Sequence, residues 1–84
     1  MLKKIYNEAE ELRNEATHRS AIRMQSLLED NKVALLNALD EQQYEYILNG
    51  FVELVNGSAT KRESYRELFQ RNIDVLLYNL NRYI

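Results

Sequence analysis

The only histidine of this chain, His18, follows Glu15 by three residues. On a helix, Glu-x-x-His is the pair found in di-iron carboxylate bundles, which use two such pairs and two further glutamates around the metal. This chain supplies one pair, so a metal site would require a symmetric dimer with this helix facing its copy. We therefore favour a polar surface or interface role for His18 and expect no metal.

Other chemical constellations are lacking in the sequence. Nucleophilic catalysis needs Ser, Cys or Thr beside a base, but there is no cysteine, and Ser20 lies two positions from His18, where helical side chains diverge. Gly50 and Gly57 are too isolated to form a phosphate-binding loop. A bundle of this size rarely encloses the ~300 Å³ that a small ligand needs. We expect no catalytic residue, no cofactor and no small-molecule ligand, and so a non-enzymatic protein.

The elements that position these residues follow from the near absence of helix-breaking residues. Among 84 residues there is no proline, and there are two glycines. Proline breaks a helix and glycine weakens one, so a chain almost without them is free to form long helices. The sequence predicts a single all-α domain over residues 1–84, a small helical bundle.

The first predicted helix covers about residues 2–29. Its apolar and small side chains recur every three to four residues: Leu2, Ile5, Ala9, Leu12, Ala16, Ser20, Met24 and Leu27. Asp30 and Asn31 predict a break because their side chains cap helices well. A short helix at about 32–39 follows, unless the first helix continues through to Leu39.

Two further helices are predicted, at about 41–56 and 61–82. Asp40 and Gln43 form a capping box before the second helix, and Thr60 and Glu63 form one before the third. Gly57 can take the left-handed conformation that ends a helix. Gly50 lies inside the second helix, where it either allows the close approach of a neighbouring backbone or is a tolerated glycine without a special role.

A protein-binding surface is predicted mainly at the end of the third helix. The last two turns are apolar on almost every side, and so short a chain has few residues to cover them; such a surface usually marks an interface. Chains of this size are marginally stable and are often helped by oligomerisation. We expect a protein partner or self-association, most simply a dimer, through Ile73, Leu76, Leu77, Tyr78, Leu80, Tyr83, Ile84, Tyr6 and Tyr46.

The charge distribution predicts a second surface. The net charge of −2 divides into +1 for residues 1–23, −5 for 24–57 and +2 for 58–84. An acidic surface is expected from Glu29, Asp30, Asp40, Glu41, Glu45 and Glu53. An acidic centre argues against a dedicated nucleic-acid-binding protein, which usually carries a strong basic excess.

An accessory protein that binds DNA or RNA is the alternative function. Basic residues lie along the first helix and open the third, where glutamates alternate with them and would repel phosphate. The residues of this alternative are Arg13, Arg19, Arg23, Lys61, Arg62 and Arg66.

Location follows from what the sequence lacks. No secretion signal and no run of about 18 apolar residues is visible, so we expect a cytoplasmic protein with no membrane span. The composition, rich in Asn, Tyr and Ile, is typical of AT-rich genes such as those of phages and plasmids. The leading hypothesis is a small adaptor or inhibitor, encoded by a mobile element, that acts through its apolar third helix and acidic centre.

Overall fold

The computed structural model describes residues 1–57 and 64–84. These residues form helices and turns and contain no strand, which confirms the predicted all-α bundle. The helices are α1 (Leu2–Arg13), α2 (His18–Asp30), α3 (Lys32–Leu35), α4 (Glu41–Val55) and α5 (Tyr65–Leu80), and a short 3₁₀ helix, Asn81–Tyr83, follows α5. None of the helices in this part of the chain is long and apolar enough to cross a membrane.

The predicted single helix over 2–29 was wrong, because it is two helices. Residues 14–17 break it: Ala16 has a positive φ of 48°, and Thr17 is extended. Thr17 and Ser20 form a capping box that starts α2, in which the Thr17 hydroxyl accepts from the Ser20 amide at 3.1 Å and the Ser20 hydroxyl accepts from the Thr17 amide at 2.8 Å. The break lets α1 pack on α5 while α2 packs on α4.

The remaining boundaries lie close to the predicted ones. The break at Asn31 is present, but the short helix that follows is Lys32–Leu35 and stops before Leu39. Asp40 and Gln43 form the predicted capping box at the start of α4, and Gly57 beyond its end has φ 73°. Helix α5 begins at Tyr65 rather than at 61, because Ser64 is extended and its side chain caps the Glu67 amide. The predicted box of Thr60 and Glu63 lies outside the described residues.

The helices form a ring in the order α1, α2, α4, α5 around one core. The largest side chains at its centre are fully buried, and the rings of Phe51 and Phe69 meet edge to face with centroids 5.4 Å apart. The buried apolar residues are Ile5, Ala9, Leu12, Ala21, Met24, Leu28, Leu35, Leu39, Tyr44, Ile47, Phe51, Leu54, Phe69, Ile73, Leu76 and Leu80.

Two hydrogen bonds hold α2 antiparallel to α4. The buried Tyr44 hydroxyl donates to the Leu28 carbonyl oxygen at 2.9 Å, and near the other end His18 Nε2 lies 2.9 Å from the Val55 carbonyl oxygen, to which it donates. Burial raises the pKa of Tyr44, and nearby Glu29 and Glu45 raise it further. The hydroxyl therefore stays protonated, as a donor must.

Candidate functional site

The predicted interface residues divide into buried and exposed groups. Ile73, Leu76 and Leu80 are fully buried in the core, so they present no surface to a partner. They are covered because α1 and α4 both pack against α5. Leu77 is half-buried, and so is Tyr6, which packs against the core.

The exposed residues, together with the half-buried Leu77, form what we call the α5-end patch, which comprises Leu77, Tyr78, Tyr83 and Ile84. Tyr78 is 70% exposed, and Tyr83 and Ile84 are also more than half exposed. The Arg82 guanidinium carbon lies 5.6 Å from the centre of the Tyr78 ring, which is a cation–π contact. Tyrosine and arginine are enriched at the energetically important positions of protein interfaces, so this composition suits protein binding.

The six predicted acidic residues are all exposed but do not share one local cluster. Asp40 and Glu41 begin α4, where Asp40 caps the helix and both carboxylates favour its positive N-terminal end. Glu29 and Asp30 end α2, and Glu45 and Glu53 lie on the length of α4. Part of this acidic character therefore has a structural explanation.

The basic residues of the nucleic-acid alternative are scattered. Arg13 forms a two-pronged ion pair with Asp74, at 2.6 Å from Nε and 3.1 Å from the terminal nitrogen, and this pair joins α1 to α5. The hydrogen bond to Asp74 raises the pKa of Arg13. Arg19 and Arg23 are exposed on α2 and Arg66 on α5. Lys61 and Arg62 lie outside the described residues.

The Glu15 and His18 pair is not a helical pair in the structure. Glu15 lies in the break before α2, while His18 is the first residue of α2 and points to the Val55 carbonyl. Within residues 1–57 and 64–84, no three His, Asp or Glu side chains come together as a metal site would require.

A groove between α4 and α5 is the feature that the sequence did not identify as a site. Its volume is about 310 Å³. Its lining combines aromatic, charged and amide side chains: Tyr46, Asn49, Gly50, Glu53, Leu68, Arg71 and Asn72. Tyr46, predicted as a contact residue, is 58% exposed here, and the groove also contains Glu53 of the predicted acidic surface.

Asn72 is the buried polar residue of this groove. It is only 2% exposed, and its side-chain nitrogen Nδ2 is the buried side-chain polar atom without a hydrogen-bond partner in the described part of the chain. The amide lies against Gly50: a Cβ at position 50 would come within 2.0 Å of Nδ2. The close approach predicted for Gly50 is therefore present, but a side chain makes it. An asparagine within the apolar stripe of α5 was the available signal.

Comparisons with protein families, with characterised proteins and with solved structures found no match for this chain.

Proposed function

We propose that this chain is a non-enzymatic protein-binding module, an adaptor or a small inhibitor, whose main contact for another protein is the α5-end patch. The observation that carries the proposal is that Tyr78, Tyr83 and Ile84, which lie near one another in the sequence at the end of α5, are all more than half exposed. Exposed aromatic side chains with a neighbouring arginine supply the contacts that dominate protein interfaces.

The acidic residues of α4 indicate the charge of the proposed partner. Glu41, Glu45 and Glu53 are exposed on a helix that carries no Lys or Arg. The negative electrostatic potential of these carboxylates favours the approach of a basic surface, and it affects the association rate more than the final affinity. The proposed partner therefore combines an apolar pocket for the patch with basic residues nearby.

The test is affinity capture from nuclease-treated lysate with the tagged chain and two variants. Tyr78→Ser removes the centre of the patch. Val33→Ser is the matched control, because Val33 is an apolar side chain that is 82% exposed on α3, outside the patch. We expect the wild type and Val33→Ser to retain a protein that Tyr78→Ser loses about tenfold or more, as interface anchors do. Loss of all bound material on nuclease treatment would favour the nucleic-acid alternative, and equal capture by both variants would contradict the patch.

A further inference from the structure

The break between α1 and α2 holds Ala16 in a backbone conformation that favours glycine. With a φ of 48°, its Cβ lies close to the following carbonyl oxygen, which costs an L-residue free energy that glycine does not lose. The four residues of the break, 14–17, include neither glycine nor proline, which are common in such turns. The break is therefore strained as it stands, while its residue types permit a helix.

The side chains of α1 and α2 keep the register of one continuous helix across the break. Buried and half-buried positions follow one another in steps of three or four residues: Ala9, Leu12, Ala16, Ser20 and Met24. A straight helix through the break would therefore keep these positions on one face. It would also place Glu15 four residues before Arg19, the favourable order for an ion pair on a helix.

We propose that the break is a hinge, and that two copies of the chain exchange α1 to form a domain-swapped dimer. In the folded chain α1 turns back beside α2, since the first residues of α1 share a cleft with the last residues of α2. A straight helix over 2–30 is about 43 Å long at 1.5 Å per residue, whereas the longest dimension of the folded chain is 34 Å. A straightened α1 therefore extends beyond its own chain and packs on α5 of a second copy. The α5-end patch takes no part in the exchange.

Each chain vacates the site that α1 of the other chain fills. Helix α1 packs mainly on α5, and its Ile5, Ala9 and Leu12 are buried in the core. In the dimer the same three side chains enter the same site of the second copy, so the apolar surface buried per chain is unchanged. The ion pair of Arg13 and Asp74, 2.6 Å long in the folded chain, re-forms between the two chains. The present position of α1 thus identifies what covers α5 in the dimer.

Straightening replaces the local contacts of the break by helical hydrogen bonds. In the folded chain the Thr17 amide donates to the Ser20 hydroxyl at 2.8 Å. The Arg13 carbonyl oxygen accepts from Gln70 Nε2 at 3.2 Å. In a continuous helix the Thr17 amide donates to the Arg13 carbonyl oxygen, four residues earlier. Both backbone groups are paired in either form, so protein concentration decides between the forms because two chains must meet.

Cross-linking between α1 and α5 tests the exchange, because the chain contains no cysteine of its own. Arg13→Cys combined with Asp74→Cys places one thiol on each helix, at the two ends of the solvent-accessible ion pair. After refolding from urea at high protein concentration, monomer and dimer are separated by gel filtration and treated with a short bismaleimide. We expect the linker to join two chains in the dimer and to close within one chain in the monomer. Links within single chains in the dimer, or no dimer at all, would overturn the inference.

Two hinge variants should shift the dimer equilibrium in opposite directions. Ala16→Gly relieves the strain of the folded chain and weakens the continuous helix in both copies, so the dissociation constant should rise at least about hundredfold. Thr17→Ala removes the hydroxyl that caps α2 in the folded chain, so the dissociation constant should fall about tenfold or more.

Ala34→Gly is the matched control for the hinge variants. Ala34 is also half-buried but lies on α3, away from the break, so this variant should leave the dissociation constant unchanged. Circular dichroism verifies that each variant is folded, and gel filtration of samples refolded over a dilution series measures the dimer fraction. Equal dimer fractions in Ala16→Gly, Thr17→Ala and the wild type would overturn the inference. That result would leave capture of a different protein through Tyr78 unaffected.

Discussion

The close contact between Gly50 and Asn72 makes a quantitative prediction for Gly50→Ala. Alanine in the interior of a helix is more favourable than glycine by about 1 kcal/mol. Here, however, the new Cβ would lie 2.0 Å from Nδ2 and 2.7 Å from Cγ of Asn72. Asn72 is almost fully buried and has little room to move, so overpacking should cost about 1–3 kcal/mol. We expect Gly50→Ala to destabilise the chain by about 1 kcal/mol.

The sign of this effect should reverse when the neighbour is removed. The three atoms nearest to the new Cβ all belong to the Asn72 side chain, and Asn72→Ala removes all three. In that background, Gly50→Ala should stabilise by up to about 1 kcal/mol, so the coupling energy of the cycle is about 2 kcal/mol. Urea unfolding followed by circular dichroism measures all four proteins. Stabilisation by Gly50→Ala in the wild type, with no coupling, would refute the close approach of α4 and α5.

Three further predictions concern stability. Ala16→Gly should raise the free energy of unfolding by about 1 kcal/mol, because glycine adopts the positive φ of 48° without strain. A midpoint of thermal unfolding that is unchanged or lower would contradict the break at this residue. Arg13→Ala and Asp74→Ala should each lower the free energy of unfolding by at most about 1 kcal/mol, because they remove the same exposed ion pair. The double variant should lose little more than either single variant in urea unfolding, and two losses that simply add would contradict the pairing. The free energy of unfolding should fall above pH ~10, because there the unfolded chain releases the Tyr44 proton while burial keeps the pKa of Tyr44 higher in the folded chain. Tyr44→Phe should make this decline smaller. An equal decline in Tyr44→Phe would argue against the buried hydroxyl.

The sequence predicted the α4 boundaries well because local chemistry determines them. Asp40 and Gln43 satisfy each other's backbone groups, and Gly57 adopts the positive φ that few other residues tolerate. These signals act within a few residues, so they can be read without the fold. The break near Ala16 also has a local signal, the capping box of Thr17 and Ser20, but it was missed because Ser20 is not the Glu or Gln usual at that position and alanine has no preference for positive φ. Packing of α1 on α5 and α2 on α4 sets that conformation.

The candidate sites were only partly predictable for a similar reason. The apolar residues at the end of α5 are visible in the sequence, but which of them face solvent depends on the positions of α1 and α4. Ile73 and Leu80 turn inward, while Tyr78 turns outward. The groove depends on the pairing of Gly50 with Asn72 across two helices, and no spacing along the chain reveals it.

Titration calorimetry of the purified chain with the protein that it captures most directly tests whether the α5-end patch is the contact surface. Tyr78→Ser should weaken the affinity about tenfold or more, and Val33→Ser should leave the affinity unchanged. An affinity of Tyr78→Ser equal to that of the wild type would contradict the proposed contact.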